Sequence, residues 1–328
     1  MNRDANDVSL YFDWVKKICA ENNIRTNGAL TQVKDDKLYR ISSDTGDLYL
    51  KKTTAFINDE LTFTLKLMKA GIVGLPAWIG YNREMNLCLM RDMGGCDLSE
   101  MTSLDMTRSI NMFVSLSRMQ KSSVQFVKSK DFCGFDYTVG TMIKELGSLP
   151  ESAYEMLSNT QYKITRDETE KLKHNCGYVT SVLEFINNTL PDTIHHGDLG
   201  MYNVRITDDS CVFYDWGCGG VSHPFFDTFR LLSTIQRKLP AESAKEIILK
   251  AYLREWSDYK TYNELTKIFA SVDGLAGFYM MYCKFIRARD LHQSYTEKPD
   301  LISADGLGLD KRYETAAIYL KRFIKNEF

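Results

Sequence analysis

Residues 194–227 bring together side chains that could perform chemistry on a phosphate ester. Asp198 lies in a Gly-containing stretch, Asn203 follows five residues later, and Asp215 follows two short apolar runs. A carboxylate can orient an attacking hydroxyl group and accept its proton. Carboxylate and amide oxygens are the hard ligands that Mg²⁺ prefers in proteins. One proton-accepting carboxylate beside two such ligands is what phosphoryl transfer requires, because metal ions must neutralise the charge that spreads over the transferred group.

The two apolar runs explain how Asp215 returns to the same place. Val204–Ile206 and Cys211–Tyr214 have the composition of short strands, and together they predict a β-hairpin. Such a hairpin brings Asp215 back to the metal from the side opposite to Asn203. The competing interpretation is that these acids are ordinary loop and turn residues, which an isolated Asp in a Gly-containing loop usually is.

The order of motifs in this region resembles a known family. The segment reads H-G-D-L-x-x-x-N, then D-W-G, then G-x-x-x-P-x-x-D, and it is similar to the aminoglycoside phosphotransferase and choline-kinase superfamily, which are small-molecule relatives of protein kinases. The resemblance implies an α+β, bilobal, protein-kinase-like fold, with a small N-terminal lobe of antiparallel β-sheet and helices and a larger, mainly helical C-terminal lobe. It implies these roles: Asp198 as catalytic base, Asn203 and Asp215 as magnesium ligands, His196 as support of the catalytic loop, and Asp227 as acceptor of hydrogen bonds from the loop backbone.

The first lobe should also supply a lysine to the α- and β-phosphates and a helix glutamate that holds this lysine. Lys51 ends the strand-like run 48–50, and Glu60 lies nine residues later at the start of a helical pattern. Lys52 is the rival, and alternation along a strand allows only one of the two lysines to face the nucleotide. The resemblance favours Lys51.

The same resemblance implies ATP and Mg²⁺ as cofactors, with GTP as the alternative donor. It places the adenine against the backbone carbonyl of Arg91 and the backbone N–H of Met93. The segment Thr31–Lys37, where a phosphate-covering loop is expected, lacks the glycine pattern of protein kinases. No GxxxxGK[ST] motif occurs, so a Walker-type fold is disfavoured.

The elements that must position these residues divide the chain in two. We predict a nucleotide-binding lobe over residues 1–93 and a helical lobe, with the catalytic loop and the acceptor pocket, over 94–328. The first lobe should hold helices at 7–22 and 56–70 and strands at 38–41, 48–51, 78–81 and 87–90. After Gly95 the strand signal fades, and helical patterns cover 104–120, 168–189, 225–237, 241–256, 262–288 and 310–326. Residues 300–310 are predicted to form a loop.

Composition narrows the function class. The net charge of −2 gives no reason to expect a nucleic-acid or membrane partner. No signal pattern and no run of about 18 apolar residues is present, and the eight cysteines are scattered without a CxxC pair, so we expect a cytoplasmic protein. His195 and His196 are adjacent, and neighbouring residues rarely converge on one ion, so a histidine metal site is disfavoured.

The predicted partner is a small-molecule hydroxyl acceptor: an aminoglycoside-like antibiotic, an amino alcohol or a sugar. The protein itself is expected to be a monomer or a homodimer. A cationic acceptor would find acidic candidates at Asp258, Glu264, Asp273 and Asp290. Two alternatives remain. A protein or peptide kinase is disfavoured because HGD replaces HRD and no A-P-E segment is present; a non-catalytic nucleotide-binding protein would not need the full set of polar residues.

Overall fold

A five-stranded antiparallel sheet flanked by two helices forms the N-terminal lobe. The structure is a computed structural model, and it describes residues 3–34, 37–53, 59–207, 210–239, 243–297 and 308–326. The elements of this lobe are α1 (Arg3–Glu21), β1 (Thr26–Lys34), β2 (Leu38–Ser43), β3 (Gly46–Lys52), α2 (Glu60–Lys69), β4 (Trp78–Asn82) and β5 (Leu87–Arg91). The strand order of the sheet is β1-β2-β3-β5-β4, and Asp44 and Thr45 form the tight turn between β2 and β3.

The two faces of this sheet pack against different helices. Leu48 and Leu50 of β3 lie in one apolar cluster with Val15 of α1. Met90 of β5 lies in a second cluster with Leu61 of α2. Since successive side chains of a strand point to opposite faces, adjacent residues of β3 face different helices.

The C-terminal lobe is mainly helical, as its sequence predicts. Its helices surround a large apolar core. The helices are α3 (Met106–Ser122), α4 (Val139–Leu146), α5 (Leu149–Ser158), α6 (Arg166–Ile186), α7 (Thr228–Lys238), α8 (Ala244–Arg254), α9 (Tyr262–Gly274), α10 (Ala276–Glu297) and α11 (Gly308–Lys325). The strands are β6 (Cys96–Asp97), β7 (Phe135–Tyr137), β8 (Thr193–His195), β9 (Val204–Ile206), β10 (Cys211–Phe213) and β11 (Gly220–Ser222), and short 3₁₀ helices span Trp216–Cys218 and Pro224–Asp227. The strands form two small sheets with the orders β10-β9-β6 and β7-β11-β8.

The segment that carries the motifs, residues 194–227, contributes strands to both small sheets. The hairpin of β9 and β10 is antiparallel, as predicted, with Val204 opposite Phe213. In the other sheet, β11 pairs antiparallel with β8, and Gly220 lies opposite His195. The loop of residues 196–203, between β8 and β9, therefore begins at the end of one sheet and ends at the start of the other.

Several details differ from the sequence predictions. After Gly95 the sequence predicts only the two strands of the β9–β10 hairpin, and the described structure adds β6, β7, β8 and β11; each has two or three residues, too few for an alternation signal. The helical pattern 262–288 is interrupted at Leu275, which ends α9 with φ of −94° and ψ of 3°. The pattern 225–237 begins with a 3₁₀ turn before α7 starts at Thr228, and helices α4 and α5 were not predicted.

Some predictions fall on residues outside those described. This set contains residues 56–58 of the predicted helix 56–70, Asp35 and Asp36 of the predicted phosphate-covering segment, and residues 300–307 of the predicted loop. The division of the chain at residues 93 and 94 stays a prediction. Within the described ranges, every helix is too short or too polar to cross a lipid bilayer.

Candidate active site

Lys51 joins the two lobes through a pair of carboxylates. Its Nζ atom lies 2.6 Å from Oε1 of Glu60 and 3.0 Å from Oδ1 of Asp215. Glu60 is the first residue of α2, and the side chain of Asp59 caps that helix by accepting a hydrogen bond from the N–H of Thr62 at 3.1 Å. The cap fixes the start of the helix and hence the position of Glu60.

The face of β3 decides between the two lysines. Lys51 lies on the face covered by α2, whereas Lys52 lies on the opposite face, where its Nζ is 5.6 Å from the ring centroid of Tyr11. Lys51 contacts both Glu60 and Asp215. The geometry therefore favours Lys51 over its rival Lys52, whose side chain lies beside Tyr11 of α1.

Burial and charge act against each other at this ion pair. Burial alone would lower the pKa of Lys51, but the carboxylates of Glu60 and Asp215 outweigh it and raise that pKa above its usual value. Burial raises the pKa of Glu60, and the ammonium group 2.6 Å away opposes this rise. We conclude that Lys51 is protonated at neutral pH and is available as a positive charge in the cleft.

The loop between β8 and β9 requires glycine at position 197. Gly197 has φ of +75°, a region that side chains rarely adopt, and a Cβ atom there would lie 2.1 Å from the carbonyl oxygen of Cys218. The Nδ2 atom of Asn203 donates to the carbonyl oxygen of Asp198 at 2.9 Å, and the N–H of Tyr214 donates to the carbonyl oxygen of Asn203 at 3.2 Å. These bonds hold Asp198, Asn203 and the chain before Asp215 in one unit.

His196 connects the two halves of this unit. Its ring is fully buried, and its Nε2 atom lies 2.8 Å from the carbonyl oxygen of Tyr214, so Nε2 carries the proton and donates. The Nδ1 atom accepts the N–H of Asp198 at 3.4 Å. Burial lowers the pKa of His196, which fits this neutral tautomer. Sequence reasoning assigned His196 to loop support, and the structure places it between the loop and the end of β10.

Asp227 lies directly below the loop. It accepts the N–H of His196 at 3.2 Å and 3.1 Å through its two oxygens, and Nδ1 of His195 lies 2.9 Å from its Oδ1. Burial would lower the pKa of His195, but the neighbouring carboxylate of Asp227 outweighs it and raises that pKa to about 9. His195 is thus a charged partner of Asp227, and its ring is engaged in an ion pair.

The donor set near Asp215 fits magnesium. Asp215 adopts the left-handed conformation, with φ of 69° and ψ of 60°, which is uncommon outside glycine and typical of functional positions. Its side chain is 53% exposed, and the amide nitrogen of Asn203 is engaged, which leaves an amide oxygen as the free donor. Within the described ranges no group of three His, Cys, Asp or Glu residues could hold a metal alone. Magnesium is commonly held by one or two protein ligands together with substrate phosphates, so the two side chains are sufficient.

Three cations around Asp198 were not predicted from the sequence. The Nη1 atom of Arg230 forms an ion pair with Oδ1 of Asp198, and Nζ of Lys284 lies 3.5 Å from the same oxygen. Arg287, which is 2% exposed, donates to the carbonyl oxygen of Gly197. Burial would raise the pKa of Asp198, but Lys284, Arg230 and Arg287 outweigh it and lower that pKa. A signal was present in the sequence, since Lys284 and Arg287 interrupt an otherwise apolar stretch of α10.

The predicted base-binding residues lie where the lobes meet. Arg91 ends β5 opposite Leu48, and its guanidinium donates to the hydroxyl of Thr45 at 3.1 Å. Met93 follows in the connection to β6 and is half-buried. Their backbone contacts to a nucleotide stay a prediction.

Comparison with known proteins agrees with this geometry. A profile described as the phosphotransferase enzyme family matches residues 34–265, which is more than half of the chain. The chain belongs to this family. A sequence comparison with curated proteins gives no significant match.

Solved structures share the fold of this phosphotransferase at low sequence identity. A choline kinase from Cryptosporidium parvum Iowa II is 10% identical, with a TM-score of 0.55, and the similarity covers 96% of this chain and 95% of that one. A mutant aminoglycoside 2′-phosphotransferase IIIa in complex with GDP is 14% identical, with a TM-score of 0.54 and coverage of 96% and 98%. An amicoumacin kinase in complex with AMP-PNP and Ca²⁺ is 14% identical, with a TM-score of 0.52 and coverage of 99% and 96%. The bilobal protein-kinase-like fold is thereby confirmed.

Proposed function

We propose that the protein transfers the γ-phosphate of ATP to a hydroxyl group of a small molecule with the help of Mg²⁺. The observation that carries this proposal is the double ion pair of Lys51, whose Nζ lies 2.6 Å from Glu60 and 3.0 Å from Asp215. A lysine held by a helix glutamate beside a metal-binding aspartate is the arrangement that kinases use to hold a triphosphate.

Each residue of the site then has one task. Lys51 binds the α- and β-phosphates, and Asn203 and Asp215 hold magnesium, which neutralises charge on the phosphates when it is bound. The acceptor oxygen bonds to the γ-phosphorus while the bond from that phosphorus to ADP breaks. Asp198 orients the hydroxyl group and takes its proton. Its lowered pKa keeps it ionised and ready to accept a hydrogen bond at neutral pH.

A regulated protein kinase is the weaker alternative. The residues between Asp215 and Asp227 are occupied by two 3₁₀ helices and β11, so this segment holds no long activation loop. Incubation with radiolabelled ATP and mixed polypeptides tests this alternative, and strong labelling of polypeptide would overturn our preference.

The free, scattered cysteines support the expected cytoplasmic location.

An acceptor screen by coupled ADP release tests the proposal. It should include aminoglycosides, macrolides, choline, homoserine and pentoses, each with ATP and with GTP. Replacement Asp198→Asn should lower kcat by roughly 10²–10⁴-fold, the usual contribution of a general base. Asp258→Asn is the matched control, because that carboxylate is 75% exposed and pairs with Lys121 away from the loop. Equal background turnover by the wild type and Asp198→Asn with every acceptor would favour a binding-only protein.

A further inference from the structure

The carboxylate of Asp198 is surrounded by more positive charge than it can balance. Arg230 and Lys284 both contact its Oδ1 atom, and the guanidinium of Arg287 is bonded to the adjacent carbonyl of Gly197. The two other carboxylates of the site are already engaged: Asp227 pairs with His195, and Asp215 pairs with Lys51. One carboxylate therefore faces three cations.

The surroundings of Lys284 show the same excess of positive charge. Burial lowers the pKa of Lys284, and the charges of Arg287 and Arg230 lower it further, although Asp198 acts in the opposite direction. Nη1 of Arg287 is buried and has no hydrogen-bond partner among the described residues. Buried charge is costly unless it is paired, so this cluster is suited to receive an anion.

A cavity shows where such an anion would lie. It has a volume of about 80 Å³, and its lining includes Gly197 and Leu199, the two chain neighbours of Asp198. Two of the three cations, Arg230 and Lys284, line it, together with aromatic side chains from α7, α10 and α11. The one carboxylate of its lining, Asp227, is paired with His195, so the charge of Arg230 and Lys284 is not balanced by it.

Gly200 makes room for the arginine. A Cβ atom at this position would lie 3.0 Å from Nη2 of Arg230, so a larger residue would crowd the guanidinium away from Asp198. The loop sequence and the position of Arg230 on α7 are thus matched to each other.

A larger cavity, of about 460 Å³, is lined by residues of both lobes and carries four acids: Asp59, Asp136, Glu145 and Asp290. Glu145 accepts from the hydroxyl of Tyr282 at 2.6 Å and from Arg289 at 3.1 Å, and Asp290 lies 3.2 Å from the same arginine. Asp136 accepts hydrogen bonds from the threonines that start α4. Asp198 does not line this cavity, whereas Arg230 and Lys284 line the smaller cavity and contact Asp198 itself.

We propose that the acceptor is an anionic alcohol whose carboxylate or phosphate group is held by Arg230 and Lys284. This inference rests on the proposed function and names the substrate class of the same site. Binding of the anion draws the two cations away from Asp198, which frees that carboxylate to receive the hydroxyl proton as the oxygen–phosphorus bond forms and the bond to ADP breaks. Binding of the acceptor thus releases Asp198 from its ion pairs, so that it can accept the proton of that acceptor.

Matched pairs of acceptors test this proposal on the wild-type protein. The coupled ADP-release assay compares glycerate and glycerol 3-phosphate with glycerol, gluconate with glucose, and serine with ethanolamine and choline. We expect kcat/KM to be at least about tenfold higher for the acidic members, as charge-assisted hydrogen bonds to an anion imply. The comparison of glycerate with glycerol 3-phosphate shows whether the site prefers a carboxylate or a phosphate group. Preference for choline, for an aminoglycoside or for the neutral members would overturn the inference while leaving the phosphotransferase function intact.

Binding measurements cover the case in which the panel contains no good substrate. Calorimetry with Mg²⁺ and AMP-PNP present measures the affinity for each acid and each neutral partner. Failure of every acid to bind, with AMP-PNP still bound, would refute the inference; failure of AMP-PNP itself to bind would refute the proposed function.

Variants assign the effect to the two cations. Arg230→Gln and Lys284→Gln should each raise KM for the acidic acceptor by about tenfold or more, and each should lower the ratio of kcat/KM between the acidic acceptor and its neutral partner by a similar factor. AMP-PNP affinity serves as the check of folding. The control is Arg166→Gln, which removes an exposed ion pair with Glu151 far from the loop. Equal losses for acidic and neutral acceptors would mean that the cations merely hold Asp198, and the inference would be wrong.

Discussion

Replacement of Lys51 by methionine tests whether this lysine belongs to a buried ion pair or is an ordinary charged residue at the end of a strand. The change leaves the carboxylate of Glu60, whose side chain is 8% exposed, without its partner at 2.6 Å. Breaking a buried pair by removing one member typically costs about 3–5 kcal/mol. Since the side chain of Lys51 is itself 23% exposed, we expect the lower end, about 3 kcal/mol in the free energy of unfolding. Asp215 adds little, because its side chain is 53% exposed.

Urea unfolding followed by tryptophan fluorescence measures this loss. Lys52→Met is the matched control, since that lysine lies on the other face of β3, and it should cost less than about 1 kcal/mol. The double variant Lys51→Met/Glu60→Leu should regain most of the loss, because no unpaired charge stays buried. The cost of Lys51→Met alone should shrink as the pH falls toward 5. Burial raises the pKa of the unpartnered Glu60, so this carboxyl group is neutral at low pH and costs little there. The variant therefore loses stability as the pH rises and Glu60 becomes charged. Equal costs for Lys51→Met and Lys52→Met would refute this reasoning.

Three further predictions test the loop and its supports. The pKa of His195 is raised from 6.5 to about 9, so its ion pair contributes fully to stability below pH 6.5 and this contribution is lost as the pH rises toward 9. In urea unfolding, the free energy of unfolding of the wild type should fall by up to about 3 kcal/mol over this pH range. The variant His195→Asn should show no such fall. Gly197→Ala should lower the free energy of unfolding by more than about 2 kcal/mol through its clash with Cys218, whereas Gly140→Ala, in open space on α4, should raise it by about 0.5–1 kcal/mol; thermal or urea unfolding compares them. Asp215→Asn should raise the Mg²⁺ concentration that gives half-maximal activity by about tenfold or more, and an unchanged magnesium titration would exclude this residue as a ligand.

The sequence predicts the parts of the site that lie close together along the chain. The hairpin of β9 and β10 is short and apolar, so its strands and the return of Asp215 to the loop follow from local pattern alone. The pairing of Lys51 with Glu60 also follows from the order of a strand and a helix. Strands of two or three residues, such as β7 and β11, leave no alternation to detect, and they form only because tertiary contacts hold them.

The acceptor side depends on helices that are far apart in sequence. Arg230 lies on α7 and Lys284 lies on α10, and their meeting at Asp198 depends on how these helices pack. A charged residue in a helical pattern is usually exposed. The apolar neighbours of Lys284 in the sequence indicate that it is buried but not which residue it contacts, and the pattern of α7 does not place Arg230 at the catalytic loop. The acids considered for a cationic acceptor illustrate the same point: Asp258 and Asp273 pair with surface lysines, and Glu264 caps α9.

A crystal structure with AMP-PNP and Mn²⁺ tests the central claim most directly, because Mn²⁺ scatters anomalously and has the same preference for oxygen ligands as Mg²⁺. We predict an anomalous peak at about 2.1–2.2 Å from oxygens of both Asn203 and Asp215, with Lys51 on the α- and β-phosphates and the γ-phosphate facing Asp198. A nucleotide bound elsewhere, or a metal held without Asn203 and Asp215, would contradict the account.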